Sequence, residues 1–141
     1  MKPRYFIFAL WLLVLNQAFV ACTTENTNPD PSPTDARSKF LGRWSVNETT
    51  TKLTYVVTIS SDPNSTSGVF IANFGNTGSS GVAAGASVSG NNITLDPNQT
   101  IGDGWIINGS GTISGTSKIN WQYTINDGAT LFNAIAVYTK I

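Results

Sequence analysis

The 141-residue chain contains no histidine and a single cysteine, Cys22. Without histidine it lacks the commonest general base and one of the commonest metal ligands, so a Ser–His catalytic pair and most zinc sites are excluded. A lone cysteine cannot form a disulfide within the chain. We therefore expect that the protein is not an enzyme and that it uses neither a cofactor nor a metal ion.

Charge is also scarce, since only 11% of the residues are Asp, Glu, Lys or Arg. From Cys22 onward the sequence has six Lys and Arg and eight Asp and Glu, a net charge of −2. Because no basic stripe is present, we expect no nucleic-acid partner. Gly, Ser, Thr and Asn take the place of charge, which is typical of exported β-proteins with many turns.

The N-terminal segment has the pattern of an export signal. Lys2 and Arg4 precede an uncharged apolar run of eleven residues at 5–15. This run is shorter than the roughly 20 residues of a membrane-spanning helix, and it fits the apolar centre of a secretory signal peptide. We predict that residues 1–21 are a signal peptide; a retained transmembrane anchor is a more distant alternative.

Val20, Ala21 and Cys22 close this segment and resemble the lipobox of bacterial lipoprotein signal peptides, in which leucine usually stands at the position of Phe19. The resemblance implies that Cys22 is acylated and becomes the new N-terminus, attached to a membrane through its lipid. Acylation would also account for a lone cysteine. The alternative is an ordinary signal peptide, cleaved nearby, in which Cys22 is incidental.

Residues 22–35 are rich in Thr, Asn and Ser and include Pro29, Pro31 and Pro33. Such a segment cannot bury a core, so we predict a flexible tether that lifts a domain off a lipid surface. Thr23 follows the cysteine, where the best-known bacterial sorting rule places Asp for retention at the inner membrane. By resemblance we expect the outer membrane, with the periplasmic or surface face left open.

Residues 36–141 have the pattern of a single β-domain. Apolar and polar residues alternate with period two most clearly at 53–60 and 119–125, which predicts half-buried strands. Turn residues separate the apolar segments, and only 35–41 has the composition of a helical turn. The pattern predicts eight strands, at 42–50, 53–60, 68–74, 82–89, 93–95, 105–114, 119–125 and 131–138.

We predict an all-β, antiparallel, eight-stranded up-and-down barrel. Sequential hairpins favour a meander, and closure of the sheet removes its exposed edges. Residues 96–104 are predicted to form a loop, and residues 108–111 to bend the sixth strand. A two-sheet β-sandwich is the alternative fold.

Gly42-Arg43-Trp44 opens the first predicted strand and resembles the Gly-x-Trp signature of lipocalins and related calycins. In that family the Trp plugs the closed end of the barrel and a basic residue near the last strand packs over it, for which Lys140 is the candidate. The wider pattern adds the lipobox, the tether and the motifs Phe40-Leu41-Gly42-x-Trp44, Gly109-x-Gly111-Thr112 and Trp121-x-Tyr123-Thr124. It resembles small lipocalin-like lipoproteins of Bacteroidota-type bacteria, a group without a settled function, so it implies fold and location only.

Aromatic residues are the candidates for a binding site. Trp105, Trp121 and Tyr123 could line a pocket for an apolar ligand or a sugar, although aromatic residues equally well form the core of a small barrel. Trp105 is the best candidate because it follows the polar loop 96–104, and loops at a barrel mouth commonly carry binding. Calcium binding by that loop is a remote alternative, since its spacing fits no EF-hand.

Taken together, the patterns predict a lipid-anchored, exported, monomeric binding or surface-structural module. A carrier of a small hydrophobic ligand or a carbohydrate is one alternative, which an open cavity would favour. A protein-interaction or adhesion module is another, which a filled barrel with a flat aromatic patch would favour. A carbohydrate-active enzyme would need two close carboxylates in a cleft, and the acidic residues are scattered, most of them in turns.

Cys22→Ser is expected to abolish acylation and to leave unprocessed precursor, because the lipid is attached through the thiol sulfur. Intact-mass analysis of the protein from the cell envelope of a bacterial host provides the readout, with the unaltered chain as reference. Normal processing and secretion of the variant would contradict the lipoprotein interpretation.

Overall fold

The structure is a computed structural model that describes residues 35–78 and 80–141. The predicted signal peptide 1–21, Cys22 and the tether as far as residue 34 lie outside these residues. The described part forms nine strands: β1 (Gly42–Glu48), β2 (Leu53–Ser61), β3 (Gly68–Ala72), β4 (Ala84–Ser89), β5 (Asn92–Leu95), β6 (Gln99–Thr100), β7 (Ile106–Ser114), β8 (Lys118–Asn126) and β9 (Leu131–Lys140). Two short 3-10 segments occupy Phe74–Asn76 and Gly102–Gly104.

Eight of these strands form a closed antiparallel barrel. Neighbouring strands pair in chain order from β1 to β5, β5 pairs with β7, and β7, β8 and β9 continue the sheet. The last strand then pairs with the first, with Lys140 opposite Trp44 and Ala136 opposite Glu48. This closure confirms the predicted eight-stranded barrel and rules out the two-sheet sandwich. The two-residue strand β6 pairs with the start of β7 outside the ring of eight.

The period-two alternation sets which side chains face the interior, because successive residues of a strand point to opposite faces. In β2, Tyr55, Val57 and Ile59 are buried while the residues between them are exposed. The same alternation holds along β8, where the buried residues are Ile119, Trp121, Tyr123 and Ile125. One hydrophobic core therefore fills the barrel.

The closed end is built around Trp44, whose side chain is fully buried. Its Nε1 donates a 2.7 Å hydrogen bond to the Phe40 carbonyl, in the predicted turn that precedes β1. The Nζ of Lys140 lies 5.3 Å from the centroid of the Trp44 ring and donates to the Lys39 carbonyl at 3.2 Å. The basic residue of the last strand thus lies over the tryptophan, a contact worth about 0.5–1 kcal/mol in exposed settings.

The connection between β5 and β7 differs from the predicted simple loop at 96–104, because it contains β6. The side-chain amide of Gln99 takes the place of a backbone partner for β4: Oε1 accepts from the Gly85 amide at 2.6 Å, and Nε2 donates to the Gly85 carbonyl at 2.6 Å. Gln99 also donates to the Asp96 carbonyl at 3.1 Å. Because this contact to β4 is made by a side chain, it leaves no alternation of apolar and polar residues in the sequence. Alternation therefore could not predict β6.

Several strand boundaries also differ by one or two residues from the predicted ones. β3 ends at Ala72 because Asn73 has a left-handed backbone (φ 62°) that turns the chain away from the sheet, and β4 begins only at Ala84. β7 pairs with β8 without interruption through 108–111. The uninterrupted pairing leaves no bulge there, and glycine at 109 lets the backbone approach Tyr123 so closely that a Cβ would overlap it.

Within the described residues, no helix combines the length and the apolar character that a membrane crossing requires.

Gly111→Ala is expected to lower the free energy of unfolding by about 1–3 kcal/mol, since overpacking a filled core strains it. A Cβ at Gly111 would lie 2.8 Å from the Trp121 ring and 2.9 Å from Ile119 Cγ2. Urea denaturation followed by circular dichroism measures the change. Ser110→Ala, on the exposed face of the same strand, is the control and should stay within about 0.5 kcal/mol; equal effects of the two variants would contradict this packing.

Candidate functional site

A cavity of about 270 Å³ opens at the end of the barrel opposite Trp44. This end carries the β1–β2 hairpin, which follows Glu48, and the β8–β9 hairpin, which follows Asn126. We call it the mouth cavity. It is lined by Glu48, Thr50, Thr51, Leu53, Gly75, Trp105, Ile125, Asp127, Phe132, Asn133 and Ala134.

The connection between β3 and β4 places Phe74 and Gly75 inside the barrel. Asn73 and Gly75 both have left-handed backbones, with φ of 62° and 66°, and these turn Phe74 inward until it is buried. The Phe74 ring packs edge-on against Trp121 and Tyr123, with centroids 5.5 and 4.8 Å apart. The interior between the closed end and the mouth cavity is therefore packed with aromatic rings, and the free space lies at the mouth.

Asn73 holds this inward segment through its side chain. Its Nδ2 donates to the Val56 carbonyl at 2.8 Å, and its Oδ1 accepts from the Gly78 amide at 2.7 Å. Asparagine tolerates the left-handed backbone better than most residues do. The floor of the mouth cavity at Gly75 is thus fixed by local backbone geometry together with one tertiary hydrogen bond.

Glu48 is the one charged side chain that is buried in the described residues, with 3% of its surface exposed. Its Oε2 accepts from the hydroxyls of Tyr123 at 2.6 Å and Tyr55 at 3.2 Å, and its Oε1 accepts from Thr51 Oγ1 at 2.8 Å. No Lys or Arg is among the residues that line the mouth cavity. The carboxylate is therefore held by three neutral donors, with no cation in the cavity wall.

Small residues on β9 make this arrangement possible. Glu48 on β1 and Tyr123 on β8 are not on neighbouring strands, because β9 lies between them. Ala136 stands opposite Glu48, and Ala134 stands opposite Tyr123. Since alanine side chains are short, the Tyr123 hydroxyl can reach the carboxylate over β9.

Three buried phenols surround Glu48, and burial raises the pKa of each of them. For Tyr55 and Tyr123, removal from water is the largest cause of the raised pKa. The pKa of Tyr138 is raised by burial first, and then by the nearby Tyr55 hydroxyl and the Glu48 charge. The phenols therefore stay protonated over the physiological range, so that Tyr55 and Tyr123 keep donating to the carboxylate.

Two further buried donors face the interior. Neither the Tyr138 hydroxyl nor Trp121 Nε1 has a hydrogen-bond partner in the described part of the chain. A buried polar group that is left unpaired costs about 1–3 kcal/mol. The barrel interior thus holds two donors that make no hydrogen bond to the described residues. The rings that carry them, Trp121 and Tyr138, pack against each other with centroids 5.6 Å apart.

The predicted site residues fall into three places. Trp105 is half-buried and lines the mouth cavity, whereas Trp121 and Tyr123 are buried in the core and do not line it. Gly42 and Trp44 lie at the closed end. Cys22 is outside the described residues.

Glu48 was missed by sequence reasoning, although a signal for it exists. It follows Trp44 and Val46 at intervals of two, so the alternation that points those side chains inward also points Glu48 inward. A carboxylate at an inward position of a small barrel indicates a polar interior site, because charged residues are seldom buried without partners.

The acidic loops show local turn chemistry. Asp127 Oδ1 accepts from the amides of Ala129 at 2.9 Å and Thr130 at 2.7 Å, and these bonds lower the pKa of its carboxyl. Across residues 35–78 and 80–141, no three acidic, histidine or cysteine residues come together as metal ligands would.

A wider depression of about 500 Å³ lies on the outer wall around Gly109, without a charged side chain in its lining.

Solved structures with a similar fold are small β-barrels. The chain is similar to EF1p2_mFAP2b, a structure described as bound to DFHBI, with a TM-score of 0.55 and 17% identity over 78% of this chain and 100% of that one. It is also similar to a redesigned beta barrel, with a TM-score of 0.51 and 13% identity over 78% of this chain and 98% of the other. No protein-family model matches the chain, and no curated protein matches it significantly. At these identities the likeness shows the barrel fold, which is compatible with ligand binding.

Tyr123→Phe is expected to lower the free energy of unfolding by about 1.5–3 kcal/mol, because it removes the shortest hydrogen bond to a buried carboxylate. Tyr138→Phe is the matched control: it deletes a buried hydroxyl that has no partner among the described residues, so stability should be unchanged or slightly higher. Urea denaturation of both variants gives the comparison. A larger loss for Tyr138→Phe than for Tyr123→Phe would contradict the assigned hydrogen bonds.

Proposed function

We propose that the protein is an exported, lipid-anchored binding protein that holds one small, mainly apolar ligand in the mouth cavity. The protein has no catalytic role in this proposal. Cys22 carries the lipid, residues 22–35 form the tether, and the outer membrane is the location. The lipobox resemblance supports the anchoring part, and the mouth cavity supports the binding part.

The observation that carries the binding proposal is the composition of the cavity wall. Leu53, Trp105 and Phe132 give it apolar surface, and Glu48 gives it a single buried polar anchor. Ligand sites are typically concave and mostly apolar, with a few polar groups that fix the orientation of the ligand. A cavity of about 270 Å³ lies just below the range of roughly 300–1,000 Å³ for drug-sized ligands, so the ligand is correspondingly small.

The similar barrel that is described as bound to DFHBI supports the binding proposal. It is an example of a barrel of this size and topology that holds a ligand. In the barrel described here the cavity lies at the mouth, above the packed aromatic rings. The ends of β1, β2, β8 and β9 form much of its wall.

A protein-interaction module is a second candidate, favoured by exposed apolar side chains of β9. Leu131 and Ile135, on the outer face of the strand, are 62% and 53% exposed, and Phe132, at the mouth, is 49% exposed. Exposed apolar surface often marks a contact site. Since Phe132 also borders the mouth cavity, a partner at this rim would cover the ligand entrance.

Native mass spectrometry of the protein purified from its own host, with a lipid and sugar extract added, tests ligand binding. We expect a retained small-molecule mass on the unaltered protein and its loss from Ala134→Leu, because Ala134 lines the cavity and leucine would fill it. Ile135→Leu, the next residue and on the outer face, should retain the mass. A bare protein, or equal retention by both variants, would contradict binding in the cavity and leave the β9 surface as the candidate site.

A further inference from the structure

The chemistry of the mouth cavity identifies a class of ligand. We propose that its occupant is a small organic cation, a primary or secondary amine whose ammonium group pairs with Glu48 while its apolar body contacts Trp105 and Phe132. This inference rests on the proposed binding function and adds the charge and the size of the ligand.

Glu48 has acceptor capacity that the protein leaves unused. An ionised carboxylate offers about four lone-pair sites, and the Glu48 side chain accepts three hydrogen bonds, two at Oε2 and one at Oε1. The side of Oε1 therefore remains able to accept from a donor in the cavity. A cationic donor would suit it best, because its positive charge adds a direct attraction to the carboxylate that a neutral donor lacks.

Within residues 35–78 and 80–141, no Lys or Arg forms an ion pair with this carboxylate. The three donors to Glu48 are neutral hydroxyls, and the lining of the mouth cavity contains no Lys or Arg. Attraction between opposite charges increases as water is excluded, and Glu48 is almost fully buried. An ammonium group on a ligand would provide a counter-charge for Glu48, where the exclusion of water strengthens the electrostatic attraction.

The remaining walls select for an apolar body and against an anion. Trp105 and Phe132 are aromatic, and aromatic faces attract cations. Leu53 and Ile125 add aliphatic surface. The second titratable group in the wall, Asp127, is an acid on an exposed hairpin. An anionic ligand would therefore meet two carboxylates and no positive side chain in this cavity.

The volume of the mouth cavity limits the size of the ligand. A volume of about 270 Å³ accommodates a single ring or a short chain with one polar head, and Gly75 and the ring packing below it close the floor. An extended lipid or an oligosaccharide would protrude from the mouth. The fitting ligand is a compact amine with one aromatic or branched apolar group.

A charge series of ring compounds with similar shape tests the proposal on the full-length protein in phospholipid nanodiscs, with empty nanodiscs as the blank. The probes are 2-phenylethylamine, 2-phenylethanol and phenylacetate, and their dissociation constants are measured by tryptophan fluorescence and by ligand-detected NMR. We expect the amine to bind about tenfold or more tightly than the alcohol, because the ammonium adds an attraction between opposite charges that the alcohol lacks, and phenylacetate to bind most weakly.

Glu48→Gln provides the matching variant, since glutamine keeps the shape and an acceptor for Tyr123 while removing the charge. It should reduce the preference for amine over alcohol to within about twofold. Asp62→Asn is the control, because it makes the same change of charge at the closed end, where Asp62 Oδ1 accepts from the Asn64 amide at 2.8 Å; its preference should equal that of the unaltered protein. If Glu48→Gln does not fold, the series on the unaltered chain still decides the question.

The outcomes separate this inference from the proposed function. Equal binding of amine and alcohol, or tightest binding of phenylacetate, would overturn the cationic ligand and leave a neutral or anionic one. If no probe binds while Ala134→Leu still abolishes retention of a ligand from host extract, the cation inference alone fails. If nothing is retained from the extract either, the proposed function fails with it.

Discussion

Pairing of β9 with β1 is the constraint on which the rest of this structure depends. It joins the last strand to the first, with Lys140 opposite Trp44 and Ala136 opposite Glu48, and it leaves the eight-stranded ring without free edges, which would otherwise invite association with other chains. Closure also forces every inward side chain into one interior. The position of each residue along its strand then decides whether it packs at the closed end or faces the mouth.

As a consequence, the packing of the interior changes along the barrel axis. Trp44 and Phe40 seal one end, aromatic rings pack in the middle, and the mouth retains free volume beside Glu48. Phe74 is central to this gradient because it enters from a connection rather than from a strand. Without the left-handed turn at Asn73, β3 would run on and the interior would stay open.

Burial of Glu48 is costly, since removing a carboxylate from water has an effective penalty of several kcal/mol. Hydroxyl donors offset part of this penalty, but an apolar residue of similar volume would be simpler to accommodate in a purely structural core. Two more buried donors, on Trp121 and Tyr138, have no partner within the described residues. A polar cluster of this kind, next to an apolar cavity, is typical of a site adapted to a ligand.

The amino-acid sequence by itself determined the strands and the hairpins. Alternation of period two and turn residues act over a few neighbours, so they predicted the eight strands of the barrel and the alternation along β8 without knowledge of the fold. They failed where a side chain replaces backbone pairing, as Gln99 does, and where a connection turns inward at Asn73. Those events depend on groups that are distant in the chain.

The tertiary structure alone decided the candidate site. Glu48 and Tyr123 are 75 residues apart and lie on strands that do not pair, so only the register of β1, β9 and β8 brings them together over two alanines. The mouth cavity likewise depends on how far Phe74 enters the barrel. Local patterns specify which face of a strand is buried, whereas the contacts across the interior are specified by closure and register.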